Sequence, residues 1–162
     1  MTDETSLFER DPDQVRRIHG GFFHAIPHAR ELGLEVLDMG AGWGLLKIPY
    51  RADLVGNPQT GVLHGGVLTS LIDSACGLAV FCRLPRMEAI ATLDLRIDYL
   101  KPASIGEDLF ARAECYRLTR QIAFVRSVAY QRDPQQPVAT SLATFMRSSA
   151  NPIRAPRPPE KA

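Results

Sequence analysis

The dominant apolar pattern in the chain starts at His64 and continues to about Arg83, and it predicts one long helix. Apolar side chains occupy nearly every side of that helix, at Val67, Leu68, Leu71, Ile72, Ala75, Cys76, Leu78, Ala79, Val80 and Phe81. A helix of this kind is surrounded by protein on most sides. Its polar residues argue against a membrane span, which needs about 20 mostly apolar residues. We therefore predict a buried core helix that ends at Leu84-Pro85.

Strand patterns flank this helix on both sides. Residues 34–39 and 43–48 are expected to form a hairpin around Gly40-Ala41-Gly42. After the helix, residues 92–99 alternate polar and apolar side chains without a break, as a half-buried strand does. Three more strands are predicted, at 107–118, 122–131 and 138–145.

The two ends of the chain differ from this central part. Apolar side chains at helical spacing between residues 11 and 30, after an Asp11-Pro12 start, predict an N-terminal helical segment over residues 1–32. Residues 33–147 are expected to form the main domain. Many prolines and few apolar side chains predict that residues 148–162 are a disordered tail.

The order of these elements predicts an α+β fold. The last four strands are joined by short turns, so they form hairpins, and parallel βαβ units do not fit. A curved antiparallel sheet wrapped around one central helix does fit. That arrangement also explains why the helix is apolar on every side.

The composition is that of an ordinary globular protein, with 45% hydrophobic and 23% charged residues. A net charge of +1 gives no electrostatic case for binding nucleic acid or an anionic membrane surface. Cys76, Cys82 and Cys115 form no Cys-x-x-Cys pair and are expected to be small buried hydrophobes in a reducing compartment. The polar, acidic N-terminus lacks the features of a secretory signal, so a cytoplasmic protein is expected.

The start of the long helix carries the strongest candidate chemistry. Gly65 and Gly66 lie at a helix N-terminus, where backbone N–H groups lack intrahelical partners and the helix dipole is positive. Such donors stabilise a developing oxyanion. Asp73 lies eight residues further on, which is on the order of 12 Å along the axis. Because this gap is too wide for one carbonyl group, either Asp73 is structural or it acts with Gly65 of a second chain.

This motif, His64-Gly65-Gly66 followed by Asp73, resembles that of the hotdog-fold acyl-CoA thioesterases of the phenylacetic-acid-degradation (PaaI-like) type. The order of elements over residues 33–146 resembles theirs as well. Further matches lie at Asn57, at Tyr99-Leu100-Lys101-Pro102-Ala103 and at Gly106-Glu107-Asp108. The resemblance implies a hotdog fold, hydrolysis of acyl-CoA substrates, and homodimers or homotetramers. It implies no cofactor, since coenzyme A is part of the substrate.

The resemblance also implies roles for individual residues. The Gly65 N–H would polarise the thioester carbonyl, and Asp73 would act as general base on water or as nucleophile. Thr92 would orient Asp73 or its water, and Asn57 would position the carbonyl or the water. The loop before the helix is one residue longer than in some relatives, so Gln59 could take the role of Asn57 instead.

Three kinds of supporting contact are expected around these groups. The His64 ring would hold the amide of the next residue, and Gly66 would let the substrate approach the backbone closely. Lys101, Arg117 and Arg120 lie at turns or strand ends. They are candidates for binding coenzyme A phosphates, or else ordinary solvated charges.

Thr92 presents a difficulty. Strict alternation places it on the same face as Asp94, Arg96 and Asp98, and therefore away from Asp73 of its own chain. A bulge near the start of the strand would remove the conflict, and so would a contact with Asp73 of a second chain.

Thioester hydrolysis has two alternatives. Hotdog hydratases and dehydratases carry Asp-x-Asn-Pro-x-His before the helix, whereas here position 60 is Thr and Asp53 lies four residues before Asn57. A non-catalytic acyl-CoA-binding protein would lack the acid at position 73 and would carry a DNA-binding helix-turn-helix. The presence of Asp73 and the short N-terminal extension favour the enzyme.

Two histidines near the N-terminus resemble half of a metal site. His24 and His28 have the i, i+4 spacing of helical metal ligands. Pro27 interrupts that turn, however, and no acid completes a His-Glu-x-x-His pattern. The sequence therefore predicts no metal ion.

Overall fold

Six antiparallel strands wrap around one long helix in the computed structural model, which describes residues 5–148 apart from the side chains of His19 and Ser148. The helices and strands are α1 (Leu7–Arg10), α2 (Pro12–Ala25), α3 (Pro27–Leu32), β1 (Glu35–Gly40), β2 (Trp43–Ile48), β3 (Val55–Asn57), β4 (Val62–Leu63), α4 (Gly65–Arg83), β5 (Ala89–Tyr99), β6 (Leu109–Leu118), β7 (Ile122–Tyr130) and β8 (Ala139–Ser148). The large sheet has the strand order β1-β2-β6-β7-β8-β5. This architecture confirms the predicted hotdog fold.

The central helix α4 is buried over most of its length, as its apolar pattern predicts. His64 is its N-cap and Leu84 is its C-cap. Leu71, Ile72 and Leu78 are completely inaccessible to solvent. By length and composition α4 could cross a membrane. The sheet encloses most of it, as expected for the core helix of a folded domain.

The N-terminal helical segment is divided into separate helices, and Pro27 explains the break between α2 and α3. Asp11 caps α2 by accepting the Gln14 N–H at 2.9 Å, and Pro12 occupies the first turn. Ile26 has an extended backbone, with φ −80° and ψ 115°. A residue before proline avoids the helical region, so a separate helix, α3, begins at Pro27.

Two details differ from the sequence prediction. The loop between β2 and α4 contains a 3-10 turn at Ala52–Leu54 and the small β3–β4 sheet. Those strands have three and two residues, too few for an alternating pattern to show. At the other end, β8 extends to Ser148, which pairs with Ala89. The rest of the predicted tail lies outside the described residues.

Strand β5 lies at one edge of the sheet and contains a bulge. Its register against β8 shifts between Thr92 and Asp94. Thr92 pairs with the buried Phe145 and so shares the side that faces the helix. Leu93 takes up the extra position and is 54% exposed. The strict alternation expected here was wrong, and the structure contains the bulge that the sequence analysis offered as one explanation.

All three cysteines are free and buried. Burial raises the pKa of the Cys76 and Cys82 thiols to about 12 and that of Cys115 to about 11. An environment with little water disfavours the charged thiolate. The cysteines are therefore unreactive core side chains at neutral pH, as predicted.

The packing of β2 against α4 gives a stability test at Gly44. A Cβ atom at Gly44 would lie 2.6 Å from Leu78 Cδ2 and 2.7 Å from its Cγ. We expect Gly44→Ala to lower the free energy of unfolding by about 1–3 kcal/mol, which is the usual cost of overpacking a core. Urea denaturation with an unchanged m-value would measure the loss.

Gly21→Ala is the matched control for that experiment. It adds the same methyl group in α2, where no heavy atom lies within 4 Å of the new Cβ. Because alanine has a higher helix propensity than glycine, this variant should gain about 0.5–1 kcal/mol. An equal loss of stability in both variants would contradict the close packing of Gly44 against Leu78.

Candidate active site

The first turn of α4 presents an exposed N–H at Gly65. The His64 Nδ1 atom accepts the Gly66 N–H at 2.9 Å, and the His64 carbonyl accepts the Val67 N–H at 2.9 Å. Within residues 5–148 no group accepts the Gly65 N–H. The His64 ring thus supports the turn through Gly66, one residue later than expected, and the Gly65 N–H remains available at the positive end of the helix dipole.

The Gly65 carbonyl is held on the other side of the same turn. The Tyr99 hydroxyl lies 3.3 Å from it and the Thr69 hydroxyl 3.2 Å. These two hydroxyl groups also lie 3.0 Å from each other. The end of edge strand β5 is therefore connected directly to the start of α4.

Asp73 lies two turns further along α4, where it is half-buried. The Thr92 hydroxyl donates to Asp73 Oδ1 at 2.9 Å. This contact forms within one chain, because the bulge at Leu93 turns Thr92 toward the helix. No other hydrogen bond reaches the Asp73 carboxylate from the described residues, so its second oxygen accepts none from them.

These groups belong to a partly exposed stripe along α4. Small or polar side chains make up the stripe, at Gly65, Gly66, Thr69, Ser70, Asp73, Ser74 and Gly77. Strand β5 lies on one side of it, through Tyr99 and Thr92. On the other side, His28 Nε2 of α3 lies 3.2 Å from the Ser70 hydroxyl. Asp73 therefore lies near the middle of a stripe that has β5 on one side and α3 on the other.

The loop before α4 runs beside the helix start. A Cβ atom at Gly56 would lie 2.7 Å from His64 Cα, so only glycine fits there. The Asn57 Oδ1 atom accepts the Gln59 N–H at 3.0 Å, while the Asn57 carbonyl accepts the Gly61 N–H at 2.8 Å. Both candidate amides, Asn57 and Gln59, are exposed, and the Asn57 side chain also closes the turn that carries Gln59.

The three basic candidates lie at opposite ends of the sheet in one chain. Lys101 follows β5, where its N–H lies 3.3 Å from the Val138 carbonyl. Arg117 lies near the end of β6 and Arg120 in the β6–β7 turn, which borders the far end of β8 through the pairing of Ile122. A single chain therefore does not bring all three basic side chains to one substrate.

The sequence analysis missed two contacts that flank the stripe. The Tyr99–Thr69 contact and the His28–Ser70 contact both join residues that are far apart in the chain. Thr69 and Ser70 precede Asp73 by four and three positions, which places them on its side of the helix. That spacing was the available signal. Among residues 5–148 no three His, Cys, Asp or Glu side chains come together as metal ligands.

Together these contacts define two halves of a candidate active site. One half is an unpaired N–H at a helix start, which can stabilise negative charge on a carbonyl oxygen. The other half is a carboxylate oriented by a hydroxyl, which can take a proton from water. The two halves lie on one face of α4 and are separated by two turns of helix, on the order of 12 Å.

Known proteins resemble this chain over the part that contains α4 and the strands after it. The family model described as the thioesterase superfamily matches residues 60–138, from the loop before α4 to the residue before β8. The medium/long-chain acyl-CoA thioesterase YigI of Escherichia coli is 33% identical over 148 residues, which cover 83% of this chain and 94% of that protein.

Two further proteins extend the comparison. A putative esterase of Halobacterium salinarum is 43% identical over 90 residues, which is 54% of this chain and 58% of that relative, less than two thirds of its length. A Pseudomonas aeruginosa protein of known crystal structure is 42% identical with a TM-score of 0.75, covering 83% of this chain and 99% of that chain. The motif, the fold and the match over nearly the whole of YigI lead to one conclusion: the chain belongs to the thioesterase superfamily.

Proposed function

We propose that this protein is an acyl-CoA thioesterase, which hydrolyses a coenzyme A thioester to a free acid and CoA. The observation that carries the proposal is the Asp73–Thr92 pair, held on the same open face of α4 as the unpaired Gly65 N–H. The name of YigI, a medium/long-chain acyl-CoA thioesterase, supports an acyl chain of that size as substrate.

Gly65 stabilises the developing charge in this mechanism. Attack on the thioester carbonyl carbon moves negative charge to its oxygen. A fixed N–H donor and the positive end of a helix dipole stabilise that charge without reorganising. Because glycine has no side chain, the carbonyl can approach the backbone closely.

Asp73 handles the proton. As general base it takes a proton from the attacking water, and the proton then goes to the CoA thiolate when the C–S bond breaks. As nucleophile it would instead form an anhydride that water opens. Thr92 holds one carboxylate oxygen by a 2.9 Å hydrogen bond and leaves the other for either role.

Each site is shared between two chains in this proposal. Edge strand β5 has eleven residues and exposes Leu93 and Tyr99 at 54% each. A long, exposed edge favours pairing with another strand, and a symmetric pair of such strands is antiparallel. A two-fold axis near Leu95 and Arg96 would bring Gly65 of one chain toward the partner subunit's Asp73.

The same pairing also suggests how coenzyme A is held. Antiparallel strands bring opposite ends of the two sheets together. Lys101 of one chain would then lie on the same side as Arg117 and Arg120 of the partner subunit. Guanidinium and ammonium groups from two chains can bind the phosphates of one CoA. Two such dimers would form a homotetramer.

The first prediction from this mechanism concerns Asp73. Asp73→Asn keeps the side-chain shape and removes the base, so we expect kcat to fall about 10²–10⁴-fold with acyl-CoA substrates. Release of CoA thiol, followed with a thiol-reactive dye, measures turnover. The matched control is Asp13→Asn, which changes an exposed acid of α2 and should leave kcat unchanged.

The result also separates the competing functions. Wild-type turnover in Asp73→Asn would remove Asp73 from the mechanism. A wild-type protein that binds acyl-CoA without hydrolysing any thioester would be a binding protein. Hydration of an enoyl-CoA without thiol release would identify a hydratase.

A second prediction concerns the two loop amides. Asn57→Asp keeps the acceptor for the Gln59 N–H and removes the amide donors, so the turn remains closed. If Asn57 positions the substrate, this variant should lose about 10-fold or more in kcat/KM while Gln59→Ala loses little, since a positioned donor contributes part of the site. The reverse order would assign the role to Gln59. Negligible losses in both would exclude the loop.

A third prediction tests the shared site by mixing subunits. Gly65→Pro removes the N–H at a position where a helix tolerates proline, and Asp73→Asn removes the acid. Each homodimer should be inactive, whereas a heterodimer has one doubly defective site and one intact site. Activity should return on mixing, to about half of the wild-type value per heterodimer if the sites act independently. Proven subunit exchange without recovery would contradict the model.

A further inference from the structure

We propose that Tyr99 is a positioning residue that holds the Gly65–Gly66 peptide so that the neighbouring Gly65 N–H keeps one direction. The proposal concerns the tyrosine at the end of edge strand β5, whose hydroxyl reaches the first turn of α4. Its effect on catalysis rests on the proposed function. Its effect on the peptide does not.

The peptide unit between Gly65 and Gly66 is held at both ends. At one end its carbonyl lies 3.3 Å from the Tyr99 hydroxyl and 3.2 Å from the Thr69 hydroxyl. At the other end its N–H donates to His64 Nδ1 at 2.9 Å. A peptide unit is planar, so fixing both ends fixes its orientation relative to Gly65 Cα.

Such a restraint matters because two glycines begin the helix. Glycine has more backbone freedom than any other residue, and helix ends fray. The Gly65 N–H belongs to the preceding peptide and is linked to the held unit only through the Gly65 Cα. Holding the second peptide therefore narrows the directions that the unpaired N–H can take.

The Tyr99 ring also covers Gly65. A Cβ atom at Gly65 would lie 3.7 Å from the Tyr99 hydroxyl oxygen and 3.8 Å from two ring carbons, which is ordinary contact. The ring is nevertheless 54% exposed. A half-exposed tyrosine that makes two hydrogen-bond contacts to one turn restrains that turn more than it contributes to the core.

The number of O–H donors predicts how the Tyr99 and Thr69 hydroxyl groups hydrogen-bond to the Gly65 carbonyl. Tyr99 and Thr69 have one O–H donor each, and their oxygens lie 3.0 Å apart. One O–H can donate to the Gly65 carbonyl while the other donates to its neighbour. When the Tyr99 hydroxyl is removed, Thr69 can still donate to the carbonyl, so the single variants should underestimate the effect of the pair.

The experiment compares Tyr99→Phe, Thr69→Val and the double variant, all of which keep the side-chain shape. We expect kcat to fall about 3-fold in each single variant and about 30-fold or more in the double variant, with KM changed less than 2-fold. Removing an oxyanion-hole donor lowers kcat about 10²–10³-fold, so a donor that is only less well oriented should lower kcat by less. The excess over additivity measures the coupling of the two hydroxyl groups.

Tyr116→Phe is the matched control. Tyr116 is 51% exposed on β6, where the centre of its ring lies 6.4 Å from that of Phe124. Removing its hydroxyl group should leave kcat unchanged. A second readout is independent of activity. Amide NMR should show faster hydrogen exchange at Gly66 and shifted resonances at Gly65 and Gly66 in the double variant, with Ala75 in the middle of α4 unchanged.

The outcomes are distinguishable. A fall in kcat together with changed Gly65 and Gly66 amides supports the positioning role. A raised KM with unchanged amides would show that Tyr99 contacts substrate and would overturn it, as would amides and kcat that both stay at wild-type values. If the wild-type protein hydrolyses no thioester, the proposed function fails, and the amide measurement still decides whether Tyr99 holds the peptide.

Discussion

The structure depends on burying a helix that is apolar on nearly every side. Burying one large aliphatic side chain stabilises a fold by about 1.5–3 kcal/mol, and Leu71, Ile72 and Leu78 of α4 are fully buried. The sheet can curl closely around α4 because many buried positions on its central strands are small, at Ala111, Ala113, Ala123, Ala129, Ala139 and Ala143. At Gly44 even a methyl group would collide with the helix.

This burial determines where polar chemistry can lie on α4. A carboxylate is costly to bury unless it is hydrogen-bonded, and Asp73 accordingly lies where the helix is only partly covered and the Thr92 hydroxyl reaches it. The gap between β5 and α3 provides that place, and the small or polar residues of the stripe fill the rest of it. The unpaired Gly65 N–H and the Asp73 carboxylate therefore share one open face as a consequence of how the sheet ends.

Edge strand β5 connects both halves of the candidate site. Thr92 near its start holds Asp73, and Tyr99 at its end holds the first turn of α4. The bulge at Leu93 allows both contacts, because it places Thr92 on the helix side without turning Leu95 away from the buried Ala143 side of β8. A strand that was regular throughout would leave Asp73 without its hydroxyl partner.

The sequence by itself determined the helices and strands whose pattern of apolar and polar side chains matches their burial. The all-round apolar pattern predicted α4, alternation predicted β5, and the resemblance carried by His64-Gly65-Gly66 and Asp73 predicted the family. Only the tertiary structure decided which of these residues meet. The bulge at Leu93, the Tyr99 contact with Gly65 and the His28 contact with Ser70 each depend on the register or placement of separate elements. A shift of one residue in register reverses every side chain in a strand, and periodicity in one segment carries no information about its register against another.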